Sequence, residues 1–229
     1  MSIRAGTPPN SPRRSIIFDL DGTLIDPLLG ISRAYHRMCA SLGIPNLSED
    51  EIRGLIGPSI REALAGYFKF DQETLERAVQ VFRDHYASNG ILEYRKYPGI
   101  DELLSGLREQ GFDLHIATNK PVVFANRIVQ HARWQNLFTI VSGSSLDRSV
   151  QGKREIISLV IRQLPPGESV VAYVGDRPED AQGSHPNGLS FVGVSWGFST
   201  AEVLLEAGAV AVAGSAQQLE TVILELQSP

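Results

Sequence analysis

The sequence predicts an α/β fold: a Rossmann-like parallel sheet core with an inserted all-helical cap domain. From residue 97 onward, short apolar runs alternate with amphipathic segments of helical length. Between residues 26 and 96, apolar side chains recur only at helical spacing. Strands that alternate with helices form parallel sheets with right-handed crossovers. We therefore predict a flexible tail over residues 1–14, an α/β core over residues 15–25 and 97–229, and a helical cap over residues 26–96.

Each element of the core follows from a local pattern. The predicted strands are 15–18, 113–118, 138–142, 169–175, 189–195 and a weak one at 209–213. A helix over 100–107 closes at Gly111, and the next one has Pro121 in its first turn. A third helix runs from Lys153 to Leu164, and the last begins at a capping box of Ser215 and Gln218. The tail is predicted from its three prolines, Pro8, Pro9 and Pro12.

In the predicted cap, capping residues and helix-breaking residues separate successive helices. Ser48 and Glu51 form a capping box, and Asp71 caps a further helix. The dipeptide Gly57-Pro58 interrupts the pattern between them.

Composition limits the partners of the chain. Its 229 residues carry a formal net charge of −5, whereas a protein that binds nucleic acid usually presents a basic surface. We therefore expect no nucleic-acid partner and, because no apolar run reaches membrane-spanning length, no membrane partner. The single cysteine, Cys39, rules out an intrachain disulfide and favours a cytoplasmic protein. Either a monomer or a homodimer is compatible with the sequence.

Polar side chains follow three of the predicted strands. Asp19 and Asp21 end the first strand, Thr118 and Asn119 the second, and Asp176 and Asp180 follow the strand over 169–175. Lys153 opens the helix before that strand. In open parallel sheets, ligands bind beyond the carboxyl ends of the strands, so these groups are expected to converge there.

Carboxylates, a hydroxyl and an ammonium group suit phosphoryl transfer. Mg²⁺ prefers oxygen ligands, and a cation with a lysine neutralises charge on the transferring group. One carboxylate can attack phosphorus, and a second can protonate the leaving oxygen and later accept a proton from water.

The segment Asp19-Leu20-Asp21-Gly22-Thr23-Leu24 resembles the first motif of haloacid dehalogenase superfamily phosphatases. Thr118-Asn119, Lys153 and Gly175-Asp176 with Asp180 resemble its other three motifs, in the expected order. The resemblance implies a magnesium-dependent phosphatase that acts on a small phosphorylated metabolite, with the helical insert as its cap.

The resemblance also implies a role for each matching residue. Asp19 is the nucleophile and a metal ligand, and Asp21 is the general acid/base whose backbone carbonyl binds Mg²⁺. Asp176 is a third metal ligand, and Asp180 ligates or orients. Thr118, Asn119 and Lys153 bind the phosphate group, and Lys153 also bridges it to the nucleophile.

Further stretches narrow the resemblance to the phosphoglycolate phosphatase and 5′-nucleotidase branch. They are Tyr97-Pro98-Gly99-Ile100, Ala117-Thr118-Asn119-Lys120-Pro121, Gly143-Ser144-Ser145-Leu146-Asp147 and Val194-Ser195-Trp196-Gly197. Two positions depart from the family pattern. Arg154 follows Lys153 where many relatives have proline, and Pro186 is expected to end the helix after Asp180 early.

Several alternatives stay open at this point. A dehalogenase would leave Asp21 and Asp176 without a task, but a phosphomutase uses the same motifs, and a non-catalytic binding protein shares the fold. Arg61 begins a cap helix, which is an unfavourable place for a cation. We expect its compensating anion to be either Glu62 or a bound substrate, which would make Arg61 a substrate-binding residue.

Overall fold

The core is a six-stranded sheet, seen here in a computed structural model that describes residues 13–147 and 149–226. The strands are β1 (Arg14–Phe18), β2 (Ile25–Asp26), β3 (Arg95–Lys96), β4 (Phe112–Pro121), β5 (Phe138–Ser144), β6 (Ser169–Gly175), β7 (Phe191–Val194) and β8 (Ala211–Ala213). Six of them form one sheet in the order β5-β4-β1-β6-β7-β8, and every pairing in it is parallel. The predicted fold class is confirmed.

Helices cover both faces of this sheet. The helices α5 (Ile100–Glu109), α6 (Val122–His131) and α10 (Ala216–Leu226) pack on one face, and α7 (Lys153–Gln163), α8 (Pro178–Ser184) and α9 (Ala201–Glu206) on the other. Side chains alternate along β1: Ile16 and Phe18 enter the first cluster, and Ile17 the second. Burial on both faces explains the continuous apolar run of this strand.

The insert after β1 consists of α1 (Leu28–Leu42), α2 (Glu49–Leu55), α3 (Ile60–Tyr67) and α4 (Gln72–Ser88). The capping box of Ser48 and Glu51 is present, and Asp71 caps α4 by accepting a hydrogen bond from the Thr74 amide. Tyr35 and Phe82 pack edge to face between α1 and α4, with ring centroids 4.9 Å apart.

Some boundaries differ from those that the sequence predicted. Arg14 already belongs to β1 and Arg13 directly precedes it, whereas residues 1–12 of the predicted tail lie outside the described residues. Residues 95 and 96 form β3, which pairs antiparallel with β2. Pro121 ends β4 instead of entering the next helix, because its backbone is extended (ψ 131°). The helix α9 was not predicted. Pro186 does end α8 early, as expected, and a 3-10 turn over His185–Asn187 follows.

The described part of the chain contains no helix whose length and apolar character would let it cross a bilayer.

A buried polar cluster lies at the opposite end of the sheet from the strand ends that carry the motifs. The His115 Nε2 atom lies 3.0 Å from Ser15 Oγ and 3.4 Å from Glu168 Oε1, and the side chain is 1% exposed. Burial lowers the pKa of His115, although the nearby carboxylates of Glu168 and Asp113 oppose that shift. Arg108 donates to Asp113 at 2.6 Å and completes the cluster.

This cluster predicts a loss of stability on mild acidification. The unfolded chain takes up a proton on His115 as the pH falls below its ordinary pKa of about 6.5, but the folded protein does so only at a lower pH. The free energy of unfolding should therefore fall between pH 7 and pH 5. In His115→Gln the fall should be smaller, although this variant should be less stable at pH 7.5 by about 1–2 kcal/mol. Urea unfolding at each pH measures both quantities. Parallel pH profiles for the two proteins would contradict the assignment.

Candidate active site

Asp19 and Lys153 form the centre of the site at the carboxyl ends of the strands. Asp19 directly follows β1, and its backbone amide donates to Val174 O at 2.8 Å, which fixes it beside β6. Lys153 is the first residue of α7, and its Nζ lies 2.8 Å from Asp19 Oδ1 and 2.9 Å from Asp180 Oδ1. One buried ammonium group thus contacts two buried carboxylates.

Asp176 completes a cluster of three carboxylates. One oxygen from each of Asp19, Asp176 and Asp180 lies within 4.8 Å of the others. Asp176 accepts hydrogen bonds from the Phe198 amide at 2.9 Å and from the Thr23 hydroxyl at 3.3 Å. These two contacts orient the carboxylate from the loops after β7 and β1.

The Asp176 carboxylate leaves no room for a side chain at Gly22. A Cβ atom there would lie 2.2 Å from Asp176 Oδ2, and the φ of +83° is itself rarely adopted by L-residues. The glycine in the first motif therefore permits both the turn after β1 and the close approach of Asp176.

Electrostatics show that the cluster carries more negative charge than Lys153 can balance. Burial raises the pKa of Asp176 well above its ordinary value, and repulsion from Asp180 and Asp19 adds to the shift. Burial likewise raises the pKa of Asp180 to about 6, although Lys153 opposes the change. For Lys153, burial would lower the pKa, but the attraction of Asp180 and Asp19 prevails and raises it. A divalent cation is the natural counterpart of such a cluster.

The Asp21 side chain is not one of the three clustered carboxylates, and it contacts a second lysine. Its Oδ2 lies 2.7 Å from the Nζ of Lys120, and the same Nζ donates to the hydroxyl of Tyr86 at 2.6 Å. Burial raises the pKa of Asp21, even though the Lys120 ammonium group pulls it down. A raised pKa favours the protonated form of this carboxyl group, which is the form that can donate a proton.

Thr118 and Asn119 lie at the end of β4, as the sequence predicted from its strand pattern. Thr118 is 2% exposed, and its Oγ1 accepts a hydrogen bond from the Lys120 amide at 3.3 Å. Asn119 Nδ2 donates to Gly57 O at 3.1 Å, a contact with the loop between α2 and α3. The roles of both residues in phosphate binding stay predictions.

Arg61 has a different partner from those that the sequence suggested. Its guanidinium group forms an ion pair with Glu76 on α4, whereas the carboxylate of Glu62 accepts from the Ser59 amide in a capping box. Arg61 is also outside the set of residues that line the cleft described below. The compensating anion in the structure is thus Glu76, and a contact between Arg61 and substrate stays a prediction.

Three residues of the site were missed by the sequence analysis. Lys120 contacts Asp21, as described above. The Tyr173 hydroxyl donates to Ala117 O at 2.8 Å and lies 3.2 Å from Asp180 Oδ1. Arg177 donates to Arg53 O at 2.6 Å and so joins the core to α2. Lys120 and Arg177 each directly follow a motif residue, and this position could have marked them as candidates for the site. Nothing in the sequence distinguished Tyr173 from an ordinary core aromatic residue.

A cleft separates the insert from the strand ends. Its core wall carries the polar groups of the site, including Asp19, Asp21 and Thr118. Its opposite wall is largely apolar and comes from the helical insert. The apolar and aromatic residues that line it are Ile31, Tyr35, Leu55, Ile56, Ile60, Phe82, Tyr86 and, from the core, Phe124. The cleft therefore combines a polar end with an apolar end.

Comparison with known proteins identifies the family. The model of the haloacid dehalogenase-like hydrolases matches residues 16–194, which is most of the chain. The chain belongs to the haloacid dehalogenase-like hydrolase family. The matched range contains Asp19, Thr118, Lys153 and Asp176.

Named relatives of this haloacid dehalogenase-like hydrolase come from bacteria. A 5′-nucleotidase of Pseudomonas aeruginosa is 36% identical over 194 residues, covering 83% of this chain and 86% of that protein. The tyrosine-protein kinase PtkA of Mycobacterium tuberculosis is 32% identical, covering 88% of this chain and 68% of that protein. A phosphoglycolate phosphatase of Pseudomonas putida is 30% identical, covering 83% and 72%.

A solved structure supports the same assignment. A protein described as a predicted phosphatase from Clostridium acetobutylicum superposes with a TM-score of 0.86 at 33% identity, covering 94% of this chain and all of that one. The family and the class of enzyme that the sequence predicted, a phosphatase, are confirmed.

Proposed function

We propose that this enzyme is a Mg²⁺-dependent phosphatase that hydrolyses a small phosphomonoester through a phosphoryl group carried on Asp19. The observation that supports this proposal is the contact of Asp19 with Lys153 inside the carboxylate cluster. A carboxylate that is held against an ammonium group beside a cation site is ready to attack an electron-poor phosphorus atom.

The donor set fits Mg²⁺. Asp19, Asp176 and Asp180 offer carboxylate oxygens, the ligand type that this ion prefers, and their charge exceeds that of Lys153. Asp19 and Asp176 would hold the ion together with the backbone carbonyl of Asp21, and Asp180 would bind or orient it. A bound Mg²⁺ would neutralise the negative charge on the transferring phosphoryl group.

The first chemical step uses Asp19 and Asp21. A carboxylate oxygen of Asp19 forms a bond to phosphorus, and the bond between phosphorus and the leaving oxygen breaks. That oxygen takes a proton from the carboxyl group of Asp21, whose raised pKa favours the protonated form needed for donation. Lys153 stays against Asp19, and Thr118 and Asn119 are available to bind the oxygens of the phosphoryl group.

In the hydrolysis of phosphorylated Asp19, Asp21 acts as a base instead of an acid. A water oxygen bonds to phosphorus, the bond to Asp19 breaks, and Asp21, now a carboxylate, accepts the proton of the water. Inorganic phosphate is the product, and both aspartates return to their starting states.

A phosphomutase would instead pass the phosphoryl group to a sugar hydroxyl, and a kinase to a protein hydroxyl. Release of inorganic phosphate to solvent therefore identifies the hydrolase.

The apolar wall of the cleft favours a nucleoside monophosphate over phosphoglycolate as the substrate. A nucleoside can bury its base against side chains such as Leu55 and Ile60, whereas the glycolate group is small and anionic. Both substrate classes occur in the names of relatives, and the 5′-nucleotidase is the more similar of these two.

Replacement of the nucleophile tests the mechanism. Asp19→Asn should lower kcat/KM for any phosphomonoester on the order of 1,000-fold or more, because an amide cannot carry the phosphoryl group. Its circular dichroism spectrum should match that of the wild type. Asp84→Asn, on the exposed surface of α4, is the control and should retain full activity. Turnover near the wild-type rate by folded Asp19→Asn would refute the covalent route.

Removal of the metal tests the cofactor. Activity should disappear in excess chelator and return on addition of Mg²⁺. Ca²⁺ should bind but support turnover poorly, because its larger and looser coordination shell does not impose the same geometry. The melting temperature should also rise on addition of Mg²⁺, since a ligand that binds only the folded state stabilises it. Full hydrolysis by metal-free enzyme would contradict the proposed site.

A pair of substrates tests the leaving-group preference. The kcat/KM value should be at least about 10-fold higher for a nucleoside 5′-monophosphate than for 2-phosphoglycolate, because burial of the base contributes about 1.5–3 kcal/mol. Ile60→Ala should reduce the nucleotide value several-fold and leave the phosphoglycolate value nearly unchanged. Leu92→Ala, which truncates an exposed apolar side chain outside the cleft, is the matched control. A preference for phosphoglycolate would reverse the substrate assignment.

A further inference from the structure

Lys120 lies between the loop after β1, which carries Asp21, and the helical insert. It follows Thr118 and Asn119 at the end of β4, and its side chain is 5% exposed. Its ammonium group contacts one partner on each side: Asp21 Oδ2 at 2.7 Å in the core, and the Tyr86 hydroxyl at 2.6 Å on α4. The pairing is buried, so water screens it little.

The two contacts together fix the position of the ammonium group. A lysine has three N–H donors, and two of them are directed at Asp21 and Tyr86. Tyr86 is itself fixed, because its ring stacks with Phe82 at 5.9 Å and meets Phe124 edge to face at the same distance. The Lys120 backbone is fixed by its amide, which donates to Thr118 Oγ1 at 3.3 Å.

On the basis of the proposed phosphatase function, we infer that Lys120 is a positioning residue that links Asp21 to Tyr86 of α4. The link places the Asp21 carboxyl group where it can meet the leaving oxygen only while α4 lies over the site. Lys120 itself exchanges no proton and need not touch the phosphoryl group. Core and insert thereby share one hydrogen-bonded chain that runs from the proton donor to the helix covering the leaving group.

The inference predicts a dependence on the leaving group. An activated ester such as 4-nitrophenyl phosphate expels a stable phenolate and needs little help from an acid, whereas an alkyl phosphate needs a proton at its leaving oxygen. Misplacement of Asp21 should therefore slow the alkyl ester far more than the activated one. Loss of a merely structural contact would slow both esters to the same degree.

The experiment compares Tyr86→Phe and Lys120→Met with the wild type across a series of phosphate monoesters of increasing leaving-group pKa. Tyr86→Phe removes one hydroxyl group and keeps the ring packing. It should lower kcat for alkyl phosphates about 10-fold and kcat for 4-nitrophenyl phosphate less than about 3-fold. Lys120→Met should have a larger effect in the same direction, about 100-fold on alkyl phosphates. The KM values of Tyr86→Phe should stay close to those of the wild type.

Tyr94→Phe is the matched control. The Tyr94 hydroxyl also joins the segment after α4 to a core helix, through His131 Nδ1 at 2.9 Å, and Tyr94 does not line the cleft. It should show the wild-type dependence on the leaving group, with a melting temperature similar to that of Tyr86→Phe. If Lys120→Met fails to fold, the comparison between the two tyrosine variants still decides the matter.

The outcomes separate this inference from the function on which it rests. Equal slowing of all esters in Tyr86→Phe, or a profile identical to that of Tyr94→Phe, would overturn the positioning role and leave the phosphatase assignment intact. Absence of turnover by the wild type on every ester would overturn both. A steeper dependence on leaving-group pKa in Tyr86→Phe, with KM unchanged, would support the inference.

Discussion

The architecture of the site depends on four charged side chains that lie close together beyond the carboxyl end of β1. Asp19, Asp176 and Asp180 are brought within 4.8 Å of one another with Lys153 as their neighbouring cation, all in a place shielded from water. Such a cluster is costly, because each buried carboxylate repels the others and lacks solvation. The parallel sheet makes it possible, since three separate chain segments reach the same edge with their backbone already hydrogen-bonded. The surrounding glycines then provide the space, as at Gly22 and Gly175.

The sequence predicted the sheet and the core of the site for the same physical reason. Strands that are buried on both faces give uninterrupted apolar runs, and the polar residues at their ends stand out against them. Asp19, Thr118 and Asp176 could therefore be placed at one edge without coordinates. Their convergence needs only the general rule that parallel strands deliver their carboxyl ends together.

The remaining parts of the site could not be predicted because they depend on contacts between distant segments. Arg61, which was predicted to bind substrate, lies in the first turn of α3, but its partner Glu76 lies on α4, and only the packing of those helices brings the two together. Tyr173 has the spacing of an ordinary core residue, and its hydroxyl contacts Asp180 only through the geometry of β6. Likewise, the contact of Lys120 with the Tyr86 hydroxyl depends on how α4 packs against the core. Local patterns specify elements, whereas pairings across elements require the packed structure.

The contacts between insert and core indicate that different parts of the chain position Asp19 and Asp21. Among the described residues, the contacts given for Asp19 and Lys153 come from core strands, loops and helices, so the position of the proposed nucleophile does not depend on the insert. The surroundings of Asp21 differ, because the chain through Lys120 ends on Tyr86 of α4. The apolar wall that would face a leaving group comes mostly from the same helices. A change in the insert could therefore alter both the substrate and the protonation of its leaving group, and leave the nucleophile as it is. One fold can in this way serve several phosphomonoesters with a single attacking residue.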